Sequence, residues 1–486
     1  MLEITISQLL DAVNGRLISG DMEGQIKGVS IDSRTLRCGD LFFALRGEKH
    51  DGHDYVHSAL QRGASGAVIS RELQDIPGMD QYIGVGASTA GPCMIRVSDT
   101  LKALQLLAQY IRKQLDILTI GVTGSTGKTT TKDMIAAILG TRLNVIKNEA
   151  NFNNEIGLPL TLLRLDRATD CCVVEMGMRG LGEIRALAEI ACPKVGVVTN
   201  VGLTHLELLG SIENIARAKS ELVESLPHDG FAILNADDPR VLAMRNRTAA
   251  RVLSYGMSEM ADIRAKDVQS AGKAGSIATF VTPLWSGRFR IPMPGVHNVV
   301  NALAAAAAAF ALGFGAQEVE EGLMNFLPSK MRMEITELPR NIMIINDAYN
   351  SSPTSLEAAL KTQAEFGKGR RRIAVLGDML ELGAASEMAH IEAGRLAAEL
   401  RVDVLITVGE RGRGMAQGYT DAMKSGEFPA FSGNAYSFDV PSDAASMLIR
   451  ILEPGDVVLV KASRKLHLDE VADSVIRYLK GGDEIG

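Results

Sequence analysis

The stretch ILTIGVTGSTGKTTTKDMIAAILG, residues 117–140, constrains this chain more than any other. An apolar run fit for a buried strand (ILTIGV) meets a glycine-rich turn, and a helix-forming run (TTTKDMIAAILG) follows. Strand, glycine turn and helix in that order make a phosphate-binding loop. Gly124 and Gly127 permit the tight turn that aims backbone N–H groups at phosphate oxygens. The helix N-terminus adds about half a positive charge. In such a loop Lys128 reaches the β- and γ-phosphates and Thr129 holds Mg²⁺. The common pattern G-x-x-x-x-G-K-[ST] is displaced by one residue: Val122 stands where its first glycine belongs, and the glycine is Gly121. The competing reading is a glycine-rich turn with an incidental lysine. The position of Gly127-Lys128-Thr129-Thr130 at the strand-to-helix joint weighs against it.

A chain of 486 residues is too long for one ordinary domain, and length alone predicts about three units. Apolar content of 46 % and charged content of 22 % are those of a globular protein with sizeable cores. The net charge is −7, and no Lys/Arg block is interleaved with aromatics. A nucleic-acid partner is therefore not expected, and an anionic ligand has to be held by local devices such as helix N-termini. Cys38, Cys93, Cys171, Cys172 and Cys192 form no C-x-x-C pair. They read as reduced thiols, mostly buried, in a reducing compartment. MLEITISQLL lacks the basic start and long apolar centre of a signal peptide. The Ala-rich run ALAAAAAAFALGFGA (302–316) falls short of the ~20 residues that span a bilayer and reads as a buried helix. A cytoplasmic protein without a membrane span is expected.

Along the chain, residues 1–98 hold short strand-like runs (GVSIDS, DLFFALRG, SGAVIS) and one helical run (YVHSALQRGA), the makings of a small α/β module. Residues 101–115 carry apolar positions at helical spacing. From there strands and helices alternate. CCVVEMG (171–177) and VGVVTNVG (195–202) are continuous apolar runs, the pattern of strands buried on both faces. A mainly parallel sheet covered by helices follows from that order. RVLSYG, SIATFVTP and GRFRIPMPG read as short antiparallel strands appended to it. A third alternation begins at IMIINDAY and continues through RRIAVLGDM, VDVLITVGE and DVVLVKASR. The expected fold is α/β in three domains: a small N-terminal module (1–98), a central phosphate-loop ATPase domain with a mainly parallel sheet (99–328), and a C-terminal Rossmann-like domain (329–486).

Four further stretches carry candidate chemistry, each with a plainer alternative. VVEMG puts Glu175 at the end of a buried strand, where an acid can hold a magnesium ion or cap the next helix. NVGLTHLELLGSIENIARAKSEL puts His205 beyond another strand end and Lys219 on the helix after it. Taken singly, such a histidine is more often packed or at the surface, and such a lysine solvated. GVHNVVNALAAAA supplies Asn298 and Asn301 on one face at a helix start, where they could bracket a nucleotide base or cap the helix. INDAYNSSPTS puts Asp347 after a strand, where ligands bind in open α/β sheets and where ordinary turns also occur.

Together these stretches resemble the Mur ligases, ATP-dependent enzymes that extend the peptide of the peptidoglycan precursor. The family's loop is T-G-[ST]-x-G-K-[ST], which Thr123, Gly124, Ser125, Thr126, Gly127, Lys128 and Thr129 match in full. The displaced glycine is thus the form this family's loop takes. DSRTLRCGDLFFALRGEKHDGHDY resembles the family's uridine-nucleotide module. NFNNEIGLPLTLLRL, VVEMGMRGLGEI, THLELLGSIENIARAKSEL, DAYNSSPTS and AVLGDMLELG resemble the member that joins D-alanyl-D-alanine to UDP-N-acetylmuramoyl-tripeptide. The third-residue-adding member would show D-H-L-D where this chain has THLE, and D-N-P-R in its last domain. Two departures stand out. The family's K-G-S-R is KASR here, with Ala462 for glycine, and HLDE replaces the Met-Glu expected soon after.

The resemblance implies that ATP phosphorylates the terminal carboxylate of the tripeptide and that the dipeptide amine attacks the acyl phosphate. It implies two Mg²⁺ ions, with Thr129 and Glu175 at the first and His205 at the second, and Lys219 carbamylated to N6-carboxylysine. Lys128, His205 and Lys219 are the catalytic candidates. Thr130, Asn298, Asn301, Arg332, Asp347 and Tyr349 join the loop around ATP. Asn153 or Asn154 contacts the γ-phosphate region. Ser33, Arg34, Asp51, Gly52 and His53 are candidates for the uridine diphosphate end, with turn chemistry as their alternative. A monomer whose third domain swings to close the site is expected. The rivals are the third-residue-adding ligase, a folate polyglutamate ligase of the same fold, and a phosphate-loop kinase or switch, which would turn over ATP without needing an amine.

Overall fold

The computed structural model describes residues 3–79, 91–149, 151–425 and 431–481. Its strands fall into three large sheets and one two-stranded pair. In the first large sheet, Gly28–Ser30, Asp40–Phe43, Gly66–Ile69 and Cys93–Arg96 run parallel, and Arg16–Ser19 closes one edge antiparallel. Leu41, Phe42, Phe43 and Val68 are fully buried there, so this small sheet has a covered face on each side.

Helix Thr100–Lys113 connects that sheet to the next. Its start is fixed by Asp99, whose carboxylate accepts from the N–H groups of Leu101 and Lys102. Ala103, Leu104, Leu107 and Ile111 form its buried stripe. The helix packs against helices Ile6–Val13, Gly157–Leu162 and Glu183–Ala191, and one apolar cluster runs from Leu41 through Leu104 to Leu222. The first two sheets therefore share a core.

The central sheet has nine strands. The loop strand Leu118–Thr123 lies between Cys171–Glu175 and Val195–Val198, parallel to both. Register sets Glu175 beside Val122 and Val198 beside Thr123, so the ends that carry ligands finish level. The chain passes to opposite sides of the loop strand here, the switch point at which open α/β sheets bind ligands. Arg251–Gly256 departs from expectation: it runs parallel to Phe231–Asn235, because helix Pro239–Leu242 and the turn after it form a crossover. Ser276–Val281 and Ser286–Ile291 are antiparallel as read. Between these lies Ile263–Ser270, which its half-exposed, charged sequence hid. The Ala-rich run is helix Val296–Ala311, with Ala302 through Ala309 fully buried. It lies against the loop helix Lys128–Leu139, and methyl side chains let the two backbones come close.

The third sheet has six strands, five of them parallel (Ile342–Asn346, Val457–Lys461, Arg372–Gly377, Val404–Val408, Asn434–Phe438), with Glu334–Leu338 antiparallel at one edge. The two edge strands, EITEL and NAYSF, are too polar to be read from apolar patterning. The architecture is three α/β units, the last Rossmann-like. Cys93, Cys171 and Cys172 are buried, Cys38 and Cys192 are exposed, and all five are free thiols. No helix of the described residues is long and apolar enough to cross a membrane.

Candidate active site

The phosphate loop is formed and braced. Gly127 caps the loop helix in the left-handed conformation (φ 78°), which glycine adopts without steric cost. Asn301 fills the space where its side chain would go. Gly124 lies against Thr199 and leaves no room for a β-carbon. Thr123 Oγ1 donates to Met176 O at 2.9 Å. Asn200 holds the turn from the neighbouring strand end: its Oδ1 accepts from Thr126 N–H at 2.9 Å and its Nδ2 donates to Thr126 Oγ1 at 2.8 Å. Ser125 Oγ donates to Gly202 O at 3.0 Å. Lys128 curls over the loop, with Nζ 2.9 Å from Gly124 O. Burial pushes its ammonium below the usual lysine value; Glu175 opposes the shift and Arg332 adds to it.

Thr129 and Glu175 meet directly, Thr129 Oγ1 donating to Glu175 Oε2 at 2.6 Å. Asn153 Nδ2 donates to Glu175 Oε1 at 2.7 Å. Asn154 braces the turn into the following helix, its Oδ1 accepting from Gly157 N–H at 2.9 Å. The strand end under Glu175 is fixed by Asn148, whose Oδ1 accepts Glu175 N–H at 2.9 Å. Lys132, almost fully buried, donates to Asn148 O at 2.6 Å. The loop helix and the acid's strand are thereby tied to each other.

The six-stranded unit supplies the facing wall. Arg332 Nη2 donates to Thr129 Oγ1 at 2.9 Å, and its guanidinium stacks 4.1 Å from the Tyr349 ring centre. Asp347 pairs with buried Lys461 at 2.5 Å, and Lys461 also donates to Asn350 O at 2.9 Å. His297 lies near this pair. Burial lowers its pKa to about 4, against the pull of Asp347 and with the push of Lys461, so it is a neutral imidazole at pH 7. Asn298 and Asn301 are linked, Asn301 Nδ2 donating to Asn298 Oδ1 at 3.2 Å, and Asn298 Nδ2 returns to Pro294 O at 2.8 Å.

His205 Nδ1 stands 2.5 Å from Glu381 Oε2. The contact is off the axis of a ring N–H bond and leaves Nδ1 without an aligned hydrogen bond. It is nevertheless close enough that His205, helped by Arg179 and Lys465, holds the Glu381 carboxyl below its usual range despite burial. Lys219 is 2 % exposed and makes no hydrogen bond among the described residues. Burial, and then the Lys128 charge, push its pKa well below the ordinary lysine value.

These groups line one cavity of about 870 Å³. Of the ATP and metal candidates, Ser125 through Thr130, Glu175, His205, Asn298, Asn301, Arg332, Asp347 and Tyr349 face it, with Asn153 and Asn154. Thr123, Gly124 and Lys219 are not among its lining residues. Sequence reasoning missed Asn200, His297 and Glu381 as lining residues, and left Lys461 without a role. Asn200 lies two residues past the end of a buried strand and His297 precedes Asn298, so position alone could have flagged both.

The uridine candidates are elsewhere. Arg34, largely exposed, grips Asp32 through Nε and Nη2 at 2.9 and 2.7 Å; that hydrogen bonding pulls Asp32 down to about 2. Ser33 is buried between them in sequence. Burial alone would raise Asp51, but the N–H and ring of His53, with Arg46, outweigh it and bring Asp51 to about 2. His53 is fully buried, with Nδ1 2.6 Å from Asp51 and Nε2 accepting Ser70 N–H at 2.9 Å. Gly52 packs on the Leu45 backbone with no space for a side chain. None of these five lines the 870 Å³ cavity.

The donor set fits magnesium. Among the described residues no cluster of three or more His, Cys, Asp or Glu side chains forms a closed cage. Thr129 and Glu175 offer hard oxygens beside the phosphate loop, and Mg²⁺ commonly takes one or two protein ligands and completes its shell with phosphate oxygens and water.

A phosphate loop facing a Rossmann-like unit across a shared cavity, with a small α/β unit ahead of both, is the plan of the Mur ligase family, and this chain belongs to it. Three family models match in succession: the Mur ligase family catalytic domain over residues 25–111, the Mur ligase middle domain over 122–309, and the Mur ligase glutamate ligase domain over 331–464. Its relatives narrow the picture. A Bacillus subtilis protein named UDP-N-acetylmuramoyl-tripeptide–D-alanyl-D-alanine ligase is 37% identical, covering 98% of this chain and 99% of its own. The Escherichia coli protein of that name is 34% identical over 97% of this chain and 98% of its own. Among solved structures, MurF from Acinetobacter baumannii superposes with a TM-score of 0.86 at 29% identity, covering 98% of this chain and 99% of its own. MurF ligase from Thermotoga maritima in complex with ADP reaches 0.79 at 26% identity, covering 94% and 98%.

Proposed function

We propose that this chain joins D-alanyl-D-alanine to UDP-N-acetylmuramoyl-tripeptide, with ATP going to ADP and phosphate, as a step of peptidoglycan synthesis. The carrying observation is the single cavity in which the phosphate loop and Glu175 face Arg332, Tyr349 and Asp347. That wall-to-wall arrangement suits a nucleotide held by two units, with its γ-phosphate toward Asn153 and Glu175. The protein acts as a cytoplasmic monomer.

ATP lies along the loop, with backbone N–H groups and Lys128 on its phosphates and Arg332 above Thr129. The neutral His297 and the Asn298–Asn301 pair border the base and ribose side, with Asp347 and Tyr349. The tripeptide carboxylate attacks the γ-phosphorus and ADP departs, giving an acyl phosphate. Two anions must approach each other for this, and Lys128 lowers that repulsion. Thr129 and Glu175 would hold one Mg²⁺ and His205 would help to hold a second, and these ions would supply further charge neutralisation. The dipeptide amine then attacks the acyl carbon, and the tetrahedral intermediate expels phosphate. Docking of the third unit keeps water from the acyl phosphate.

Lys219 supports this reading through its surroundings. Burial, and then the Lys128 charge, disfavour its ammonium and so favour the free amine, the form that adds to CO₂ with loss of a proton to give a carbamate. An anionic carbamate beside Lys128 and the metal side suits the site better than an ammonium. Ser33, Arg34, Asp51, Gly52 and His53 are assigned to the uridine diphosphate end, and the unit boundaries are placed near residues 98 and 328.

The test is phosphate release from ATP and Mg²⁺ with UDP-N-acetylmuramoyl-tripeptide, with and without D-alanyl-D-alanine. Release that needs both, with a pentapeptide product by mass, is the expected result. Release that ignores the dipeptide, or responds instead to a single amino acid, would sink the assignment.

A further inference from the structure

Two left-handed residues from different units face each other at the cavity. His205 (φ 56°) precedes the short helix Leu206–Leu209, and Glu381 (φ 64°) lies in the loop after strand Arg372–Gly377. Neither is glycine, so each conformation is strained unless its surroundings hold it. The surroundings do hold both. Glu207 N–H donates to Glu381 O at 3.2 Å. Gly383 abuts the same backbone, with room for no more than a tight β-carbon 3.0 Å from Glu207 Cα. Leu382 between them is buried. This backbone clasp brings the Glu381 carboxylate to 2.5 Å from His205 Nδ1, and both side chains face the cavity.

We propose that Glu381 is a positioning residue for His205: its carboxylate, 2.5 Å from Nδ1, holds the imidazole in place at the divalent-metal side of the ATP site. Glu381 belongs to the six-stranded unit and His205 to the nine-stranded one. The ring is therefore set only when the two units are docked. Docking then does two things together: it brings Arg332 to Thr129 and orients His205. The inference rests on the reading of His205 as a metal-side residue. The plainer role for Glu381 is a surface ion pair with Arg179 and Lys465, whose charges act on the same carboxylate.

The experiment is Mn²⁺ binding to the full chain saturated with ADP, read from the loss of the free Mn²⁺ electron paramagnetic resonance signal. Wild type, E381A, E381Q and H205Q are compared, and ADP affinity without metal is measured in parallel. E381A is expected to weaken Mn²⁺ binding about 10-fold or more and to leave metal-free ADP binding unchanged. E381Q keeps the size and polarity of the side chain without its charge, so it retains part of the affinity. Small-angle scattering of the ADP–Mn²⁺ form should give a larger radius of gyration for E381A than for wild type. If H205Q weakens Mn²⁺ binding while E381A and E381Q match wild type, the positioning role is overturned and the metal reading survives. If H205Q also matches wild type, the metal reading fails and the positioning role with it. Should E381A not fold, E381Q decides: Mn²⁺ binding equal to wild type overturns the proposal.

Discussion

Arg332 Nη2 donates a 2.9 Å hydrogen bond to Thr129 Oγ1 while its guanidinium stacks 4.1 Å from the Tyr349 ring centre. One side chain of the six-stranded unit thus touches the residue expected to carry magnesium and the aromatic expected beside the nucleotide. Arg332→Ala should raise KM for ATP and lower kcat/KM by about 10- to 100-fold, the scale of losing a charge-assisted contact near the phosphates. Arg332→Lys should not restore it, because an ammonium lacks the planar fork that stacks and donates together. Steady-state kinetics with varied ATP decides this. An unchanged KM would show that the contact belongs only to the nucleotide-free form.

Lys219 is a buried base without a hydrogen-bond partner among the described residues, and its pKa lies well below the ordinary value because of burial and then Lys128. In CO₂-free buffer, where Lys219 is not carbamylated, the folded lysine is neutral and the unfolded one protonated between the folded and unfolded pKa values. Stability then falls as pH falls, by about 1.4 kcal/mol per unit for this one group. Lys219→Met removes the effect with little change of length. It should raise the midpoint of thermal unfolding, by more at pH 7 than at pH 9, while phosphate release drops about 100-fold. A gain in stability independent of pH would contradict the buried neutral amine.

How much of this was readable beforehand follows from the kind of signal each part leaves. The loop was legible because Gly124, Gly127, Lys128 and Thr129 must adjoin in sequence to do their work. Strands such as Cys171–Glu175, buried on both faces, were legible as apolar runs. Arg251–Gly256 was given the wrong direction, because strand direction depends on whether the chain crosses over or turns back, and short connections leave little trace. Glu381 stands in AVLGDMLELG, yet nothing in that stretch points to a role for it. Its meaning comes from a contact 176 positions back in the chain, which no local pattern encodes. Asp51 and His53 were legible as a cluster, but patterning could not show that His53 is fully buried and bonded to Ser70.

Asp133 on the loop helix is 3 % exposed and holds three partners: Lys147 at 2.6 Å, Lys132 at 3.3 Å, and the Ser329 hydroxyl at 2.7 Å. Ser329 lies just ahead of Arg332, so this buried acid also ties down the segment leading into the third unit. Asp133→Asn leaves Lys132 buried without its counter-charge, and should cost about 3 kcal/mol or more of stability. Ser329→Ala should cost about 1 kcal/mol but raise KM for ATP by loosening the segment that delivers Arg332. Thermal unfolding and ATP kinetics on both variants separate the two effects. Equal KM values in Ser329→Ala and wild type would mean that the tie does not position Arg332.

The alanine that replaces the family's glycine in KASR has a structural answer. Ala462 is fully buried, and a β-carbon on Gly377 of the neighbouring strand would come within 2.7 Å of its methyl group. One methyl therefore fits between these strands, and this chain carries it on residue 462. Lys461 still reaches Asp347, and Ser463 Oγ still accepts from Leu380 N–H at 3.0 Å. Ala462→Gly should lower stability by about 1–2 kcal/mol through the lost methyl and the freer unfolded chain, with kcat/KM near wild type. Gly377→Ala should cost about 1–3 kcal/mol through overpacking. Combining the two moves the methyl to the other strand, so the double variant should be more stable than the sum of the single losses predicts. Strict additivity in thermal unfolding would show that the two positions do not share one space, and a large loss of activity in Ala462→Gly alone would give the methyl a role in placing Lys461 or Ser463.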